Sequence, residues 1–315
     1  MPDHYAPDAV TAVEAEPAEP ARRPPVDVVI PFAGPDSELE QLIVRASRLA
    51  RLPSDTVVVV DNRRRQRPIT AAPVSGGVRV LAAPERRSSY YARNRGAAAG
   101  HAPWLLFLDA DVEWQGNLID AYFEERPGER VAVLAGGVAD APLSSSSRAT
   151  PAERYAAESR PMAQATTIDE PLHPPYAQTA NCLVRRAAFE AVGAFADGIR
   201  SGGDADLCFR LQADGWTVEL RETAEVVHRN RRALAALLAQ KARHGAGAAW
   251  LQRRYAGTFP RRRWTGLAAW SARSILAARK QPGAGRVAVV NVLAVWAFEL
   301  GRLLPNRTRQ PRRRR

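Results

Sequence analysis

Apolar residues follow two rhythms along the first half of the chain. The segments "VDVVIPF" from Val26, "TVVVVDN" from Thr56, "GVRVLAAP" from Gly77 and "WLLFLDAD" from Trp104 are short runs, apolar at nearly every position and rich in β-branched residues. Such continuous runs read as strands buried on both faces. Between them, "GPDSELEQLIVRASRLARL" places Leu39, Leu42, Ile43, Ala46 and Leu49 at helical spacing. "SSYYARNRGAAAG" is a second helix, with Ser88 or Ser89 as N-cap and Gly100 as its stop. Strands alternating with amphipathic helices predict an α/β fold, a mostly parallel sheet covered on both faces.

Past residue 130 the rhythm is mixed. "VAVLAGGV" reads as a strand and "APLSSSSRATPAER" as a polar loop, and a helix through "ERYAAESRPMAQA" should break or kink at Pro161. "QTANCLVRRAAFEAVGAFAD" gives a strand and then a helix. "GGDADLCFRLQADGW" puts Asp204 and Asp206 at a helix start, where carboxylates suit the positive end of the dipole. "TVELRETAEVVHR" is a strand with His228 at its end.

Farther on, "RRALAALLAQKARHGAGAAWLQRRY" predicts an amphipathic helix interrupted at Gly245 and Gly247, followed by the basic, Trp-bearing "RRRWTGLAAWSARSILAARK". "RVAVVNVLAVWAFELGRLL" is strongly apolar but broken by Asn291 and Glu299, whereas a spanning helix needs about 20 apolar residues. It could pack on the domain, join a homodimer or lie in a membrane interface. Its basic flanks and Trp264, Trp270 and Trp296 favour the interface. The expected layout is a disordered leader over 1–25, a catalytic domain over 26–230, a helical region over 231–304 and a basic tail over 305–315.

Charge sharpens this division. The chain carries a net +12, yet the residues from Arg221 onward hold +19 and the preceding body −7. A basic C-terminal third points to an anionic partner, with a membrane surface expected rather than nucleic acid. Only two cysteines, Cys182 and Cys208, fit a reducing cytosol, and the N-terminus has no apolar core of signal-peptide type. The expected location is cytoplasmic, peripheral on the inner face of the membrane.

The chemistry gathers at strand ends. Pro31, Asp61, Asp109 and Asp111 all fall at the carboxyl ends of predicted parallel strands, where open α/β sheets bind ligands. No G-x-G-x-x-G follows the first strand and no G-x-x-x-x-G-K-[ST] occurs, which argues against a dinucleotide fold and a P-loop. A paired-carboxylate strand end suits a divalent cation instead, since hard cations prefer oxygen ligands.

Taken in order, "VDVVIPF", "VVVVDN", "YYARNRGAAAG", "LDADV", "NCLVRRAAFEAVGAFAD", "GGDADLCFRL" and "VVHR" resemble the family-2 inverting glycosyltransferases of the GT-A fold, over about Val26 to Arg229. The resemblance implies a nucleotide-sugar enzyme assisted by manganese or magnesium. Asp111 and His228 would bind the metal, and Asp109 would contact the ribose or a metal-bound water. Asp61 and Asn62 would read the base, although Arg63 stands where the family has glycine. Pro31, Arg93 and Asn94 would face the donor, Arg93 at its pyrophosphate, and Asn181 would lie near the transferred sugar. Asp204 would be the base, with Gly203 replacing the family's first acidic residue there, and Asp206 would cap the helix or orient the acceptor loop. The acceptor would be a cell-envelope or lipid-linked saccharide or a small metabolite. The alternative is an inactive GT-A-like protein that binds nucleotide or membrane.

Overall fold

The computed structural model describes residues 23–64, 77–143, 149–279 and 284–308. Most of the expected leader, the terminal arginine run and the serine-rich loop at 144–148 lie outside them. Strand β1 (Val26–Phe32), helix α1 (Asp36–Ser47), β2 (Thr56–Asp61), β3 (Val78–Ala82), α2 (Ser89–Ala97) and β4 (Trp104–Leu108) form the first half. Then follow β5 (Val112–Trp114), α3 (Leu118–Ala121), β6 (Val131–Asp140), α4 (Pro151–Ser159), α5 (Ala165–Ile168), β7 (Asn181–Arg185), α6 (Arg186–Ala191), α7 (Gly203–Ala213) and β8 (Thr217–His228). Three helices end the chain: α8 (Leu234–Arg254), α9 (Trp264–Ala278) and α10 (Ala284–Gly301).

The strands form one eight-stranded sheet in the order β3-β2-β1-β4-β7-β6-β8-β5. Its first half is wholly parallel, as the apolar runs predict. Both faces of β4 are buried: Leu106 and Leu108 join the core beneath α1, while Leu105 and Phe107 pack on the other side with Phe189 and Phe195. Farther along the sheet, β7 runs antiparallel to both β4 and β6, and β6 lies parallel to β8. Short β5 closes the edge antiparallel to β8.

Local chemistry sets the ends of elements. Ser88 caps α2 by accepting from the Tyr91 amide, one of the two expected caps. Helix α4 begins with a reciprocal capping box between Thr150 and Glu153, inside what the sequence suggested was loop. It ends at Arg160, whose φ of 41° is left-handed, directly before Pro161. Arg23, within the expected leader, is already anchored on Asp55 at 2.7 Å.

Helix α8 runs unbroken through Gly245 and Gly247, contrary to the expected interruption. A glycine costs a helix interior about 1 kcal/mol against alanine, but here close packing needs it. A Cβ on Gly245 would stand 1.8 Å from the Phe298 carbonyl oxygen of α10, and one on Gly247 2.8 Å from the Ser201 side chain. Gly301 returns the fit, since a Cβ there would meet the Ala242 carbonyl at 2.1 Å. Residues 305–308, expected as tail, fold back: Asn306 accepts from the Ser201 amide at 3.1 Å and Thr308 donates to the Gly198 carbonyl at 2.9 Å.

The close fit gives a paired expectation. Gly245→Ala should lower stability by about 1–3 kcal/mol, the usual range for overpacking. Gly266→Ala on α9, where nothing lies within 4 Å of the new Cβ, should raise it by about 0.5–1 kcal/mol. Urea midpoints for the two variants measure both; equal shifts would show that Gly245 is no packing position.

Candidate active site

The cavity at the strand ends has a volume of about 750 Å³. Asp109 and Asp111 occupy its floor because β4 ends at Leu108 and β5 starts at Val112, leaving the three residues between as a tight lip. Val112 pairs with His228 across the β5–β8 ladder, and the Arg229 amide donates to the Asp111 carbonyl at 3.1 Å. That pairing unites residues more than a hundred positions apart. His228 Nε2 stands 3.6 Å from Asp111 Oδ2, longer than a hydrogen bond.

The two aspartates have different electrostatic surroundings. Burial raises the Asp109 carboxyl above its ordinary range, and Asp111 adds to the rise despite an ion pair with Arg93. Burial would also raise Asp111, but the facing His228 outweighs it and holds Asp111 below that range. His228 is pulled down by burial and up by both carboxylates, with a net rise. Asp111 is thus the more fully ionised of the two.

Asp204 meets the cavity from the first turn of α7. It accepts from the Tyr90 hydroxyl at 3.3 Å and from the Ala205 amide at 3.1 Å. Burial pushes its carboxyl up, more than those amides, Arg93 and Tyr90 pull it back. Tyr90 also accounts for Gly203: a Cβ at that position would lie 2.8 Å from the Tyr90 ring. A larger side chain there would force the ring away from Asp204.

Helix α8 adds a basic wall that the motifs did not reveal. Arg243 and His244 line the cavity with Arg200 and Arg231. Among the described residues, neither Arg200 nor Arg243 is ion-paired. Burial, Arg243, Lys241 and Arg231 together lower His244 to about 3, so its ring is neutral at physiological pH. Arg243 and His244 sit on α8 and Arg231 just before it, with no spacing signature; only the charge asymmetry of the C-terminal third hinted at these three, and nothing pointed to Arg200.

Five expected site residues stand elsewhere. Asp61 is held by Arg63, which donates from Nε at 2.9 Å and from its terminal nitrogen at 2.8 Å, so this carboxylate is spent within the protein. Asn94 brackets the Phe195 backbone, accepting at 3.1 Å and donating at 2.9 Å, and does not line the cavity. Asn181 is fully buried under the sheet, donating to the Gly137 and Ala224 carbonyls and accepting from Tyr122. Asp206 makes no helix cap; it pairs with Arg210 at 2.9 Å and with Arg254 at 2.9 Å, and accepts from Tyr255 at 2.8 Å. Pro31 lies within β1, opposite Val60, off the cavity. Asn62 does line it, but its amide is occupied by the Ala83 and Arg86 carbonyls and the Ser88 amide.

Residues 24–247 match the model of the glycosyltransferase-like family 2. The chain belongs to this family. Its fold is shared with a mannosyltransferase from Pyrobaculum calidifontis, solved with GDP-Man and Mn2+, at a TM-score of 0.54 and 15% identity, covering 90% of this chain and 74% of that one. The pre-mycofactocin glycosyltransferases of two Mycobacterium tuberculosis strains, CDC 1551 / Oshkosh and H37Rv, are 28% identical over 265 residues. The match covers 79% of this chain but 52% of theirs, so the chain spans about half their length.

In this family-2 chain the metal fit is partial. Among the described residues no group of three or more His, Cys, Asp or Glu side chains could hold a cation alone. Asp111 and His228 would provide two ligands at most, and magnesium or manganese sites of that kind are completed by substrate phosphates.

Asp204 sets a testable balance between stability and function. A carboxyl whose pKa is raised by folding gives up no stability below its unfolded value of about 3.9, and gives up more as pH rises through the folded value. Asp204→Asn should therefore raise the melting temperature at pH 7 by about 2 °C, the response to under about 1 kcal/mol. The gain should vanish near pH 4. A lower melting temperature at pH 7 would show that the ionised carboxylate supports the fold.

Proposed function

We propose that the protein transfers a hexosyl or related sugar from a nucleoside-diphosphate sugar to an acceptor hydroxyl, with inversion at the anomeric carbon. The observation that supports this most is the opening of Asp204 and the Asp111–His228 pair onto one cavity from different elements. An inactive binder has no use for a half-buried carboxylate with no ion-pair partner opening beside Asp111 and His228.

Asp111 and His228 would hold a divalent cation, which when bound neutralises charge on the departing diphosphate. The Mn2+ and GDP-Man named for the Pyrobaculum enzyme support a donor of that class. Arg200, Arg231 and Arg243 face the same space and would add charge-assisted bonds to its phosphates. Arg93, tied to Asp109, would fix that carboxylate toward the ribose side.

On the other side, Asp204 accepts the acceptor hydroxyl proton as the oxygen attacks the anomeric carbon and the bond to the β-phosphate oxygen breaks. The proton ends on Asp204 and the electron pair on the diphosphate. A raised pKa suits a base, since a carboxylate of ordinary acidity takes a proton poorly. Beside Asp204 a second pocket of about 200 Å³ runs beneath α8, walled by Met162, Tyr176, Leu237, Phe259 and Phe298. Those walls favour an acceptor with an apolar portion next to its hydroxyl, such as a lipid-linked saccharide or an aromatic metabolite.

Calorimetry with UDP-, GDP- and dTDP-sugars in manganese tests the donor side, where Asp111→Ala should weaken binding at least ten-fold. Equal binding by wild type and Asp111→Ala would remove the metal-donor role. Asp204→Asn should keep donor affinity yet lose about 10²–10⁴ in turnover, the usual contribution of a positioned base. In the wild type, kcat/KM should fall on acidification through a pKa above the ordinary aspartate value of about 3.9. Unchanged turnover in Asp204→Asn would assign the base elsewhere.

A further inference from the structure

Helix α10 is mostly apolar, with Arg286, Asn291 and Glu299 as its polar interruptions. Val287, Val290 and Ala294 point inward to a small core with Leu237 and Tyr155, and Phe298 reaches the second pocket. Val289, Leu293 and Leu300 follow an i, i+4, i+11 stripe on the opposite side and are exposed at 43%, 40% and 51%. Helices α4, α8 and α9 cover the rest of α10, so this apolar stripe is the side left without a partner among the described residues, and an apolar helix face belongs inside a protein or in lipid.

The neighbouring elements expose apolar side chains as well. Leu303 and Leu304 follow α10 at 64% and 51% exposure, and α9 presents Leu276 at 56% and Trp264 at 38%. Of eleven large apolar residues exposed among the described residues, seven fall from Trp264 onward. Helix α9 buries only Leu267 and Ala278, and its Trp264 ring stacks on Trp296 of α10 at 5.7 Å.

Charge identifies the occupant. No acidic residue occurs from Val226 to Phe298, a stretch holding twelve arginines and two lysines. Arg261, Arg262 and Arg263 stand exposed at the start of α9, with Arg261 over the Trp264 ring at 4.6 Å and Arg262 over the Trp270 ring at 5.8 Å. A second copy of this chain would bring like charge against like charge. A nucleic acid would have no use for the leucine stripe. Among the described residues no helix is long and apolar enough to cross a membrane. Leucine and valine flanked by arginine and tryptophan suit a helix lying in the headgroup layer.

We propose that the outer faces of α9 and α10 dock the protein on an anionic lipid surface, with Leu276, Val289, Leu293 and Leu300 entering the acyl boundary and Arg261–Arg263 contacting headgroups. This docking is independent of the transfer chemistry. Its test is cosedimentation of the full chain with phosphatidylglycerol–phosphatidylcholine vesicles and with phosphatidylcholine alone. Wild type should pellet with the anionic vesicles at low salt and stay largely in solution with the neutral ones. Leu293→Glu/Leu300→Glu should reduce partitioning at least ten-fold, and Arg261→Gln/Arg262→Gln/Arg263→Gln several-fold. Both variants should keep the wild-type circular dichroism spectrum and nucleotide affinity. Should the glutamate variant misfold, the glutamine variant and the salt dependence of wild type still decide. Wild type remaining in solution with anionic vesicles would overturn the proposal. So would undiminished binding by the variants, or a wild-type dimer that the glutamate variant breaks without any vesicle binding.

Discussion

The antiparallel pairing of β5 with the end of β8 is the constraint on which the site depends. Three residues of β5 place His228 beside Asp111, and a slip of one residue would turn His228 to the opposite face of the sheet. The register is fixed from behind. Strand β8 lies parallel to β6 with an irregularity between Gly136 and Val138, where β8 passes close over the two glycines. A Cβ on Gly136 would stand 2.2 Å from both Asn181 and Tyr122, and one on Gly137 2.6 Å from the Glu222 carbonyl. Asn181 bonds to both strands at this irregularity, through the Gly137 and Ala224 carbonyls. Its contribution to the site is therefore a matter of register.

Charge is managed unevenly around the cavity, and the unevenness separates the roles of its carboxylates. Asp109 has Arg93, Asp111 has His228, and Asp206 has two arginines and a tyrosine. Asp204 has no cation within ion-pair distance among the described residues, only a hydroxyl and its neighbouring amide. A half-buried carboxylate without a counter-charge costs stability, and such a cost is commonly retained where chemistry needs it. On the facing wall Arg200 and Arg243 are cations without anions. Opposite uncompensated charges across one cavity suit a reaction that brings in an anionic donor and releases a proton.

The strands that lead to the cavity were legible because full burial leaves a plain mark: nearly every position of β1, β2 and β4 is apolar. Asp109 and Asp111 stood out against that background, and Asp204 by its place at a helix start. Asparagine was harder to read. Its amide serves a backbone carbonyl as readily as a ligand, and Asn62, Asn94 and Asn181 all use theirs on backbone. Asp61 carries a related ambiguity. A strand-end aspartate followed by arginine two residues later can close on itself, and Arg63 does so with two nitrogens. The antiparallel direction of β7 left no trace either, since a continuous apolar run has the same composition whichever way it points. At Gly245 the local preference against glycine in a helix was outweighed by the backbone of α10 passing within contact distance.

The C-terminal helices are part of the site's construction, beyond the boundary drawn at residue 230 from composition. The match to the family runs to residue 247, well into α8. Arg254 and Tyr255, at the far end of that helix, converge on Asp206, two residues along α7 from Asp204. Near its middle α8 supplies Arg243 and His244 to the cavity, and at Gly245 it is locked against α10. One helix thus braces the turn that carries Asp204 and supplies Arg243 and His244 to the cavity. Displacing α10 by even a fraction of an ångström must move α8, because backbone meets backbone there with no side chain to yield. The placement of Asp204 is consequently fixed as much by the packing of two glycine-bearing helices as by the sheet that the acidic strand ends made visible.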